Sequence, residues 1–370
     1  MRKRVLVLMS GGVDSSVAAA RLKEQGYDVI GITLRIWEEV LRTKHRTIQV
    51  KEKKHTCCGS EPAISDARRA AHKIGIPHYT LDFRKVFKES VIQDFIKEYE
   101  LGRTPNPCIR CNRFVKFDSF LNRAPEFGAD FLATGHYARI EKSNGRWLLK
   151  KGIDAKKDQS YFLYAMTQDQ LARTLMPLGN LAKTEVRKIA KDLGLVVAEK
   201  PESQEICFIP DDDYSRFLKQ FIPDAEKTGP ILNKQGEVIG KHNGIINYTI
   251  GQRKRIGIPH SERLYVVAID RARNAIIIGT EKDGYGTELI ADDLNYIAIH
   301  GLEKPMKAKA KIRSVHQAAE AEIRPFNNQV HLKFAEPQWA ITPGQAVVFY
   351  DGEVVLGGGT ITGTKIKEVK

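Results

Sequence analysis

"LMSGGVDSS" (residues 8–16) closes one element and opens another. The apolar run Val5 to Met9 before it is made of β-formers. "SSVAAARLKEQG" after it has helical spacing and a glycine stop at Gly26. Between them Gly11 and Gly12 carry no side chains, so the first N–H groups of the helix face an open space. Such a helix N-terminus cradles an anion, and Ser10, Ser15 and Ser16 add hydroxyl donors. The loop lacks the Gly-Lys-Ser/Thr ending of a Walker loop and the Gly-x-Gly-x-x-Gly of a dinucleotide site. The ordinary alternative is a strand-to-helix turn with a serine cap.

The same grammar continues outward. "DVIGITL" (28–34) reads as a buried strand, "SDARRAAHKIG" (65–75) as a helix closing on glycine, and "IPHYTLDF" as a third strand. A long helix through "KESVIQDFIKEYE" follows, then "TPNPCIRCN" (104–112). There each proline restrains the residue before it, so Thr104 and Asn106 are extended and a stiff loop is expected. "RFVKFDSFLNRAPEFG" reads as a helix and "ADFLATGHYA" (129–138) as a strand. Strands alternating with helices imply a doubly wound parallel sheet. After residue 138 the pattern changes. Asn144-Gly145 marks a hairpin, "KTEVRKIAKDLG" (183–194) is helical, and from about 230 onward alternating runs are punctuated by Gly, Asn and Asp. The expected fold is an α/β domain over 1–210, a small mainly-β domain over 211–285 and a C-terminal β-barrel over 286–370.

The 370 residues are 42% hydrophobic and 28% charged, a soluble globular composition. The basic start mimics an export signal, but Val5–Met9 is too short, and no apolar run approaches a membrane span. A cytoplasmic protein without membrane contact is expected. Five cysteines, an odd number, make no disulfide framework, so Cys57, Cys58, Cys108, Cys111 and Cys207 each need separate explanation. The net charge is +14, and the run 42–55 holds six Lys/Arg against one Glu. A second basic cluster spans 304–313. Both suit a polyanionic partner such as RNA.

A strand followed by Ser-Gly-Gly-x-Asp-Ser resembles the pyrophosphate loop of the ATP pyrophosphatases, which cleave ATP between the α and β phosphates and adenylate an acceptor oxygen. "GRTPNPCIRCN", "FLATGHYAR", "KKDQSYFLY", "PESQEICFIP", "NYTIGQRKRIGI" and "ITPGQAVVFY" narrow the resemblance to the tRNA-specific 2-thiouridylases. It runs in order along nearly the whole chain. It implies ATP-dependent 2-thiolation of the wobble uridine, position 34, with ATP accompanied by Mg2+. The implied partners are tRNA and a persulfide-donating sulfur carrier protein or cysteine desulfurase.

The chemistry fits the residue types. Replacing a carbonyl oxygen by sulfur requires a leaving group, which adenylation supplies, and then a sulfur nucleophile. One cysteine carries a persulfide and a second releases or resolves it. The resemblance makes Cys111 the nucleophile and Cys207 the persulfide carrier. Arg110 and Arg113 beside Cys111 are cations that would favour its thiolate. A lone cysteine between Ile206 and Phe208 would otherwise read as a small buried hydrophobe. Cys57 and Cys58 are assigned no chemistry. Cys108 departs from the family, where well-known members carry an aspartate proposed to assist proton transfer. Cys108, Cys111 and Cys207 also match the ligand count of an iron–sulfur cluster with one open iron site, which stays open as an alternative mechanism. A zinc site lacks a fourth ligand.

The resemblance further implies an ATP site from Leu8, Met9, Ser10, Gly11, Gly12, Val13, Asp14 and Ser15, with Leu34 on the adenine and Gly135 approaching the nucleotide. Asn106, Pro107 and Cys108 border the target base, which must leave its stack to react. His136, the run Lys157, Asp158 and Gln159, and Arg313, Ser314 and Gln345 are the implied tRNA contacts. A synthase adenylating a small molecule is the more remote reading, and a non-catalytic RNA-binding module leaves the ATP loop idle. If the two basic runs meet phosphates, tRNA affinity falls steeply with salt. Neutralising several of their lysines should then flatten the log–log slope in a filter-binding titration, whereas solvated surface leaves the slope unchanged.

Overall fold

The computed structural model describes residues 2–36, 40–42, 47–49, 58–201, 206–209 and 213–364. The basic run 42–55 and Cys57 fall outside them, apart from the backbone of a short hairpin, Val40–Arg42 with Thr47–Gln49. Ser203, Gln204 and Glu205 also lie outside. Among the described residues no helix is long and apolar enough to cross a membrane.

The expected fold class is present. Five parallel strands stand in the order His78–Asp82, Asp28–Arg35, Arg4–Leu8, Phe131–Ala133, Thr174–Leu175. The first strand in sequence is central, and the chain winds outward from it in both directions. That creates a switch point beyond Leu8 and Ala133, where α/β sheets bind their ligands. Val5, Leu6 and Val7 are fully buried between the covering helices. Helix Val13–Glu24 follows the central strand. Helix Glu61–Ile74 starts four residues earlier than its apolar periodicity indicates, because Ser60 caps it and Pro62 fills its first turn. Gly75 ends it in the left-handed conformation.

The proline-cysteine stretch corrects the sequence reading. Asn106 is extended, as its following proline requires, but its side chain accepts from the Ile109 N–H at 3.3 Å and caps a helix that begins at Pro107. Proline at the first helical position loses nothing, since that N–H has no intrahelical partner. Cys108 and Cys111 therefore lie on a helix, α-helical over Pro107–Arg110 and π-helical over Cys111–Phe120. A 3-10 segment, Leu121–Phe127, completes it before Gly128.

Beyond it, strands Val238–Asn243, Thr228–Leu232, Ala275–Gly279 and Tyr265–Asp270 form the small central sheet. The C-terminal barrel runs Tyr285–Tyr296, Gln329–Trp339, Ala319–Phe326, Met306–Lys311, Ala346–Asp351 and Val354–Gly363, closed by pairing of the first strand with the last. The hairpin Ala138–Ser143/Arg146–Lys151 turns at Asn144-Gly145 as expected, yet its second strand pairs with the barrel through Lys150 and Val354 rather than with the parallel sheet. The 304–313 cluster is partly neutralised across the barrel, since Lys307 faces Glu322 and Lys309 pairs with Glu320 at 3.5 Å.

The barrel also grips the cysteine helix. Thr104 N–H donates to the Pro343 carbonyl at 2.9 Å, and Gln345 Nε2 donates to the Thr104 and Pro105 carbonyls at 2.9 and 3.1 Å. At Gly344, φ is +90° and an added Cβ would lie 2.8 Å from the Thr104 carbonyl oxygen. Gly344→Ala should therefore cost about 2 kcal/mol or more and speed amide exchange over 104–112. Gly352→Ala, strained in φ but with nothing within 4 Å, is the control and should leave that exchange unchanged.

Candidate nucleotide and thiol site

The switch point opens into a cleft of about 480 Å³. Its walls bring together Leu8, Met9, Ser10, Asp14 and Ser15 from the first turn, Leu34 from the second strand, and Gly135, His136 and Gln159 from the loops nearby. Pro107, Cys108, Cys111 and Cys207 line it too. Gly12 caps helix Val13–Glu24 without any side-chain hydrogen bond, so the serine-capped turn is not what forms. The N-terminal N–H groups are left for an anion. Ser16 is not among the available donors, because its buried hydroxyl donates to the Gly12 carbonyl at 2.9 Å. Ser15 Oγ likewise donates to the Gly12 carbonyl, at 3.2 Å, and accepts from the Ser10 N–H at 3.1 Å, shaping the loop. Val13 is buried beneath it.

Two glycines permit the close approaches. Gly11, at φ +74°, would carry a Cβ 2.3 Å from the Ala63 carbonyl. A Cβ on Gly135 would fall 2.7 Å from the Ser15 nitrogen, so only glycine lets the 134–136 turn touch the phosphate loop.

Asp14 is held by groups the sequence reading missed. Lys183 Nζ donates to both its carboxylate oxygens, at 2.6 and 2.7 Å, and Tyr137 OH donates to Oδ1 at 2.7 Å. Lys183 is 7% exposed and opens helix Lys183–Asp192. A lysine at a helix N-terminus runs against the helix dipole, and that local violation is the signal that marks it. Lys200 similarly bridges the Gly11 carbonyl at 2.9 Å and Asp66 at 2.7 Å.

Cys207 is positioned by its neighbour. Phe208 is buried among Phe87, Phe95 and Phe217, with ring centroids 5.2–5.6 Å away, and turns Cys207 to the cleft. All four described cysteines, including the unassigned Cys58, line this wall. Enclosure by protein pushes Cys111 up to about 11 and raises Cys108 as well, each increased further by Cys58 and opposed by Lys116. The expected activation by Arg110 and Arg113 is corrected here. They line a separate recess with Asn106, Arg110 pairing with Asp94 at 3.1 Å and Asp293 at 3.2 Å, and Arg113 with Asp293 at 2.5 Å. Their charge is spent on carboxylates.

His136 is kept well below its ordinary value, mainly by burial and also by Lys116, so it is neutral and bonds Thr134 Oγ1 through Nδ1 at 2.8 Å. Gln159 Oε1 accepts from the Tyr137 N–H at 3.0 Å. Asp158 accepts from the Gly152 and Ser160 N–H groups and shapes its own turn, beside Lys157. Arg313, Ser314 and Gln345 do not line the cleft. Arg313 Nη2 ties Ile250 O, Ala340 O and Thr342 Oγ1 together, joining the central sheet to the barrel. For the iron–sulfur alternative, no group of three His, Cys, Asp or Glu side chains among the described residues is arranged to hold a metal ion. As arranged, the three thiols do not fit a cluster.

A parallel α/β sheet with an uncapped phosphate loop at its switch point defines a nucleotide-binding domain. The protein-family model described as "tRNA methyl transferase HUP domain" matches residues 3–211. Those described as "tRNA methyl transferase PRC-barrel domain" and "Aminomethyltransferase beta-barrel domain" match 215–280 and 286–361. A "tRNA-specific 2-thiouridylase MnmA" of Symbiobacterium thermophilum is 53% identical over 97% of this chain and 92% of its own. Relatives so named from Pelotomaculum thermopropionicum (98% of each chain) and Clostridium botulinum strain Loch Maree (98% of this chain, 99% of its own) are 52% and 51% identical. The chain belongs to the tRNA-specific 2-thiouridylase family.

The Asp14–Lys183 pair generates a prediction. Lys183→Ala and Asp14→Ala should each lower stability by about 1–3 kcal/mol, the partial exposure of Asp14 keeping the loss below that of a fully buried pair. Each should cut ATP-dependent pyrophosphate release at least about tenfold. The double variant should lose less stability than the sum of the singles in denaturant titrations, and strict additivity would mean that the two groups do not interact.

Proposed function

We propose that the protein is an ATP-dependent tRNA-uridine 2-sulfurtransferase that converts the wobble uridine, position 34, to 2-thiouridine in the cytoplasm. The observation that carries this reading is that Cys111 and Cys207, 96 positions apart in sequence, line the same cleft as the phosphate loop. The ATP site comprises residues 8–15 with Leu34 and Gly135, and Mg2+ accompanies the nucleotide. The uracil C2 oxygen attacks the α-phosphate, releasing pyrophosphate and becoming an adenylate. A persulfide on Cys207, loaded by a sulfur carrier protein or cysteine desulfurase, attacks C2 through its terminal sulfur, and AMP leaves. Cys111 then attacks the Cys207 sulfur and breaks the bond tethering the transferred atom. The electron pair stays with the new thiouridine, and a Cys111–Cys207 disulfide remains for an external thiol to reduce.

Asn106, Pro107, Cys108 and His136 border the extruded base, and Lys157, Asp158, Gln159, Arg313, Ser314 and Gln345 serve the rest of the tRNA. In this reading Asp158, Arg313 and Gln345 act largely by shaping the surface, since their polar atoms already hold backbone groups. A methyl-transfer reading, suggested by the wording of the matching family description, leaves both the phosphate loop and the cysteine pair without work.

The test is nucleoside analysis of tRNA incubated with enzyme, ATP and a persulfide source. Wild-type protein should form 2-thiouridine with tRNA-dependent pyrophosphate release. Cys111→Ser and Cys207→Ser should form none, whereas Cys108→Ser should keep substantial activity without iron. Pyrophosphate release independent of tRNA would favour a small-molecule synthase. Activity proportional to bound iron, lost equally in all three variants, would replace the persulfide scheme.

A further inference from the structure

The cysteine helix changes register at Cys111, from α-helical turns to a π-helix over Cys111–Phe120. In an α-helix, about 100° per residue leaves position i+5 roughly 140° round from position i, on the far side. The wider π turn, closed by i→i+5 bonds, brings i+5 back over i. Cys111 and Lys116 are five residues apart, and both line the cleft. The π register therefore delivers to the thiol wall a lysine that an α-helix would turn away from it.

Lys116 is also held in place. Its Nζ donates to Asn112 Oδ1 at 2.8 Å, and the Asn112 amide, buried at 4% exposure, donates in turn to the Phe162 carbonyl at 3.0 Å. This partner is neutral. Among the described residues no carboxylate pairs with Lys116, in contrast to four other cations near the site. Lys183 is matched to Asp14, Lys200 to Asp66, and Arg110 and Arg113 to Asp94 and Asp293. The groups facing Lys116 are Cys108, Cys111 and His136, and none supplies a negative charge: the thiols stay protonated and the imidazole neutral. Asp14, the carboxylate in the cleft wall, has both oxygens on Lys183. Among the described residues, the cleft thus carries an oriented ammonium that no carboxylate neutralises, in one wall with the thiols and the phosphate loop.

We propose that Lys116 is a binding residue for a phosphate group in this cleft. An ammonium in a partly enclosed wall gains most from an anion brought to it, and its orientation before binding lowers the cost of the contact. The inference rests on the reading of the cleft as a nucleotide and RNA site. It adds a charged phosphate ligand outside the glycine-rich loop, on the helix that bears Cys111. The phosphate has two possible sources, the α-phosphate of the adenine nucleotide or a backbone phosphate next to the base turned into the cleft.

Binding measurements separate them without requiring turnover. Affinities of wild-type, Lys116→Met and Lys116→Arg proteins are measured for adenosine and AMP without RNA, and for tRNA without nucleotide. If the α-phosphate is the ligand, Lys116→Met should weaken AMP about tenfold, leave adenosine and tRNA unchanged, and be largely rescued in Lys116→Arg. If the ligand is a backbone phosphate, tRNA should weaken and AMP should not. Unchanged AMP and tRNA affinities in Lys116→Met overturn the proposal, as does an equal loss for adenosine and AMP. Wild-type protein that binds tRNA but no adenine nucleotide overturns the nucleotide reading of the cleft, and the tRNA arm alone then decides the role of Lys116.

Discussion

The site depends on one steric allowance, the absence of a side chain at Gly135. The central strand and the next strand of the sheet end side by side, and their following turns have to occupy the same few ångströms. A methyl group at Gly135 would meet the Ser15 backbone nitrogen. Without one, the two turns touch, the phosphate loop keeps its helix N-terminus open, and His136 reaches the wall that Cys108 and Cys111 occupy. Tyr137, two residues on, reaches Asp14 from the same turn. The phosphate loop and the thiols share a cleft because these turns can pack.

Electrostatics in the cleft run opposite to what reactive thiols need at rest. Enclosure in the cleft favours the neutral forms of Cys111 and His136 and raises the still solvent-exposed Cys108 as well, and Lys116 offsets it only in part for the cysteines. The cationic side chains that neighbour Cys111 in sequence are consumed by Asp94 and Asp293 elsewhere. Among the described residues the cleft sets the protonated Cys108 and Cys111 beside an ammonium that no carboxylate neutralises, a setting suited to an anionic ligand.

The barrel takes part in building the site despite lying outside the cleft. Its 343–345 turn holds the backbone at Thr104 and Pro105, and Asp293 anchors Arg110 and Arg113. The helix bearing Cys108 and Cys111 is thereby fixed at its entry and on a face away from the cleft. A barrel that contacts RNA would be mechanically continuous with the cysteine helix, through backbone hydrogen bonds and ion pairs rather than through a flexible linker.

Much of this was legible in one dimension. The strand–glycine–helix pattern at residues 4–24, the alternation behind the parallel sheet and the Asn144-Gly145 hairpin depend on local backbone preferences, which a short window of sequence carries. That Cys111 and Cys207 would line one cleft was legible only through family resemblance, since nothing between them in the chain encodes it. Helix initiation at Pro107 was misread as a loop because proline breaks a helix interior but is welcome at its first position, and the cap that decides the matter is a single Asn106 side chain. The Lys183–Asp14 contact, the diversion of Arg110 and Arg113 to carboxylates, and the π register that turns Lys116 toward Cys111 were not legible. Each depends on what packs against the residue across the fold, and a charge takes its meaning from the partner that tertiary structure gives it or withholds.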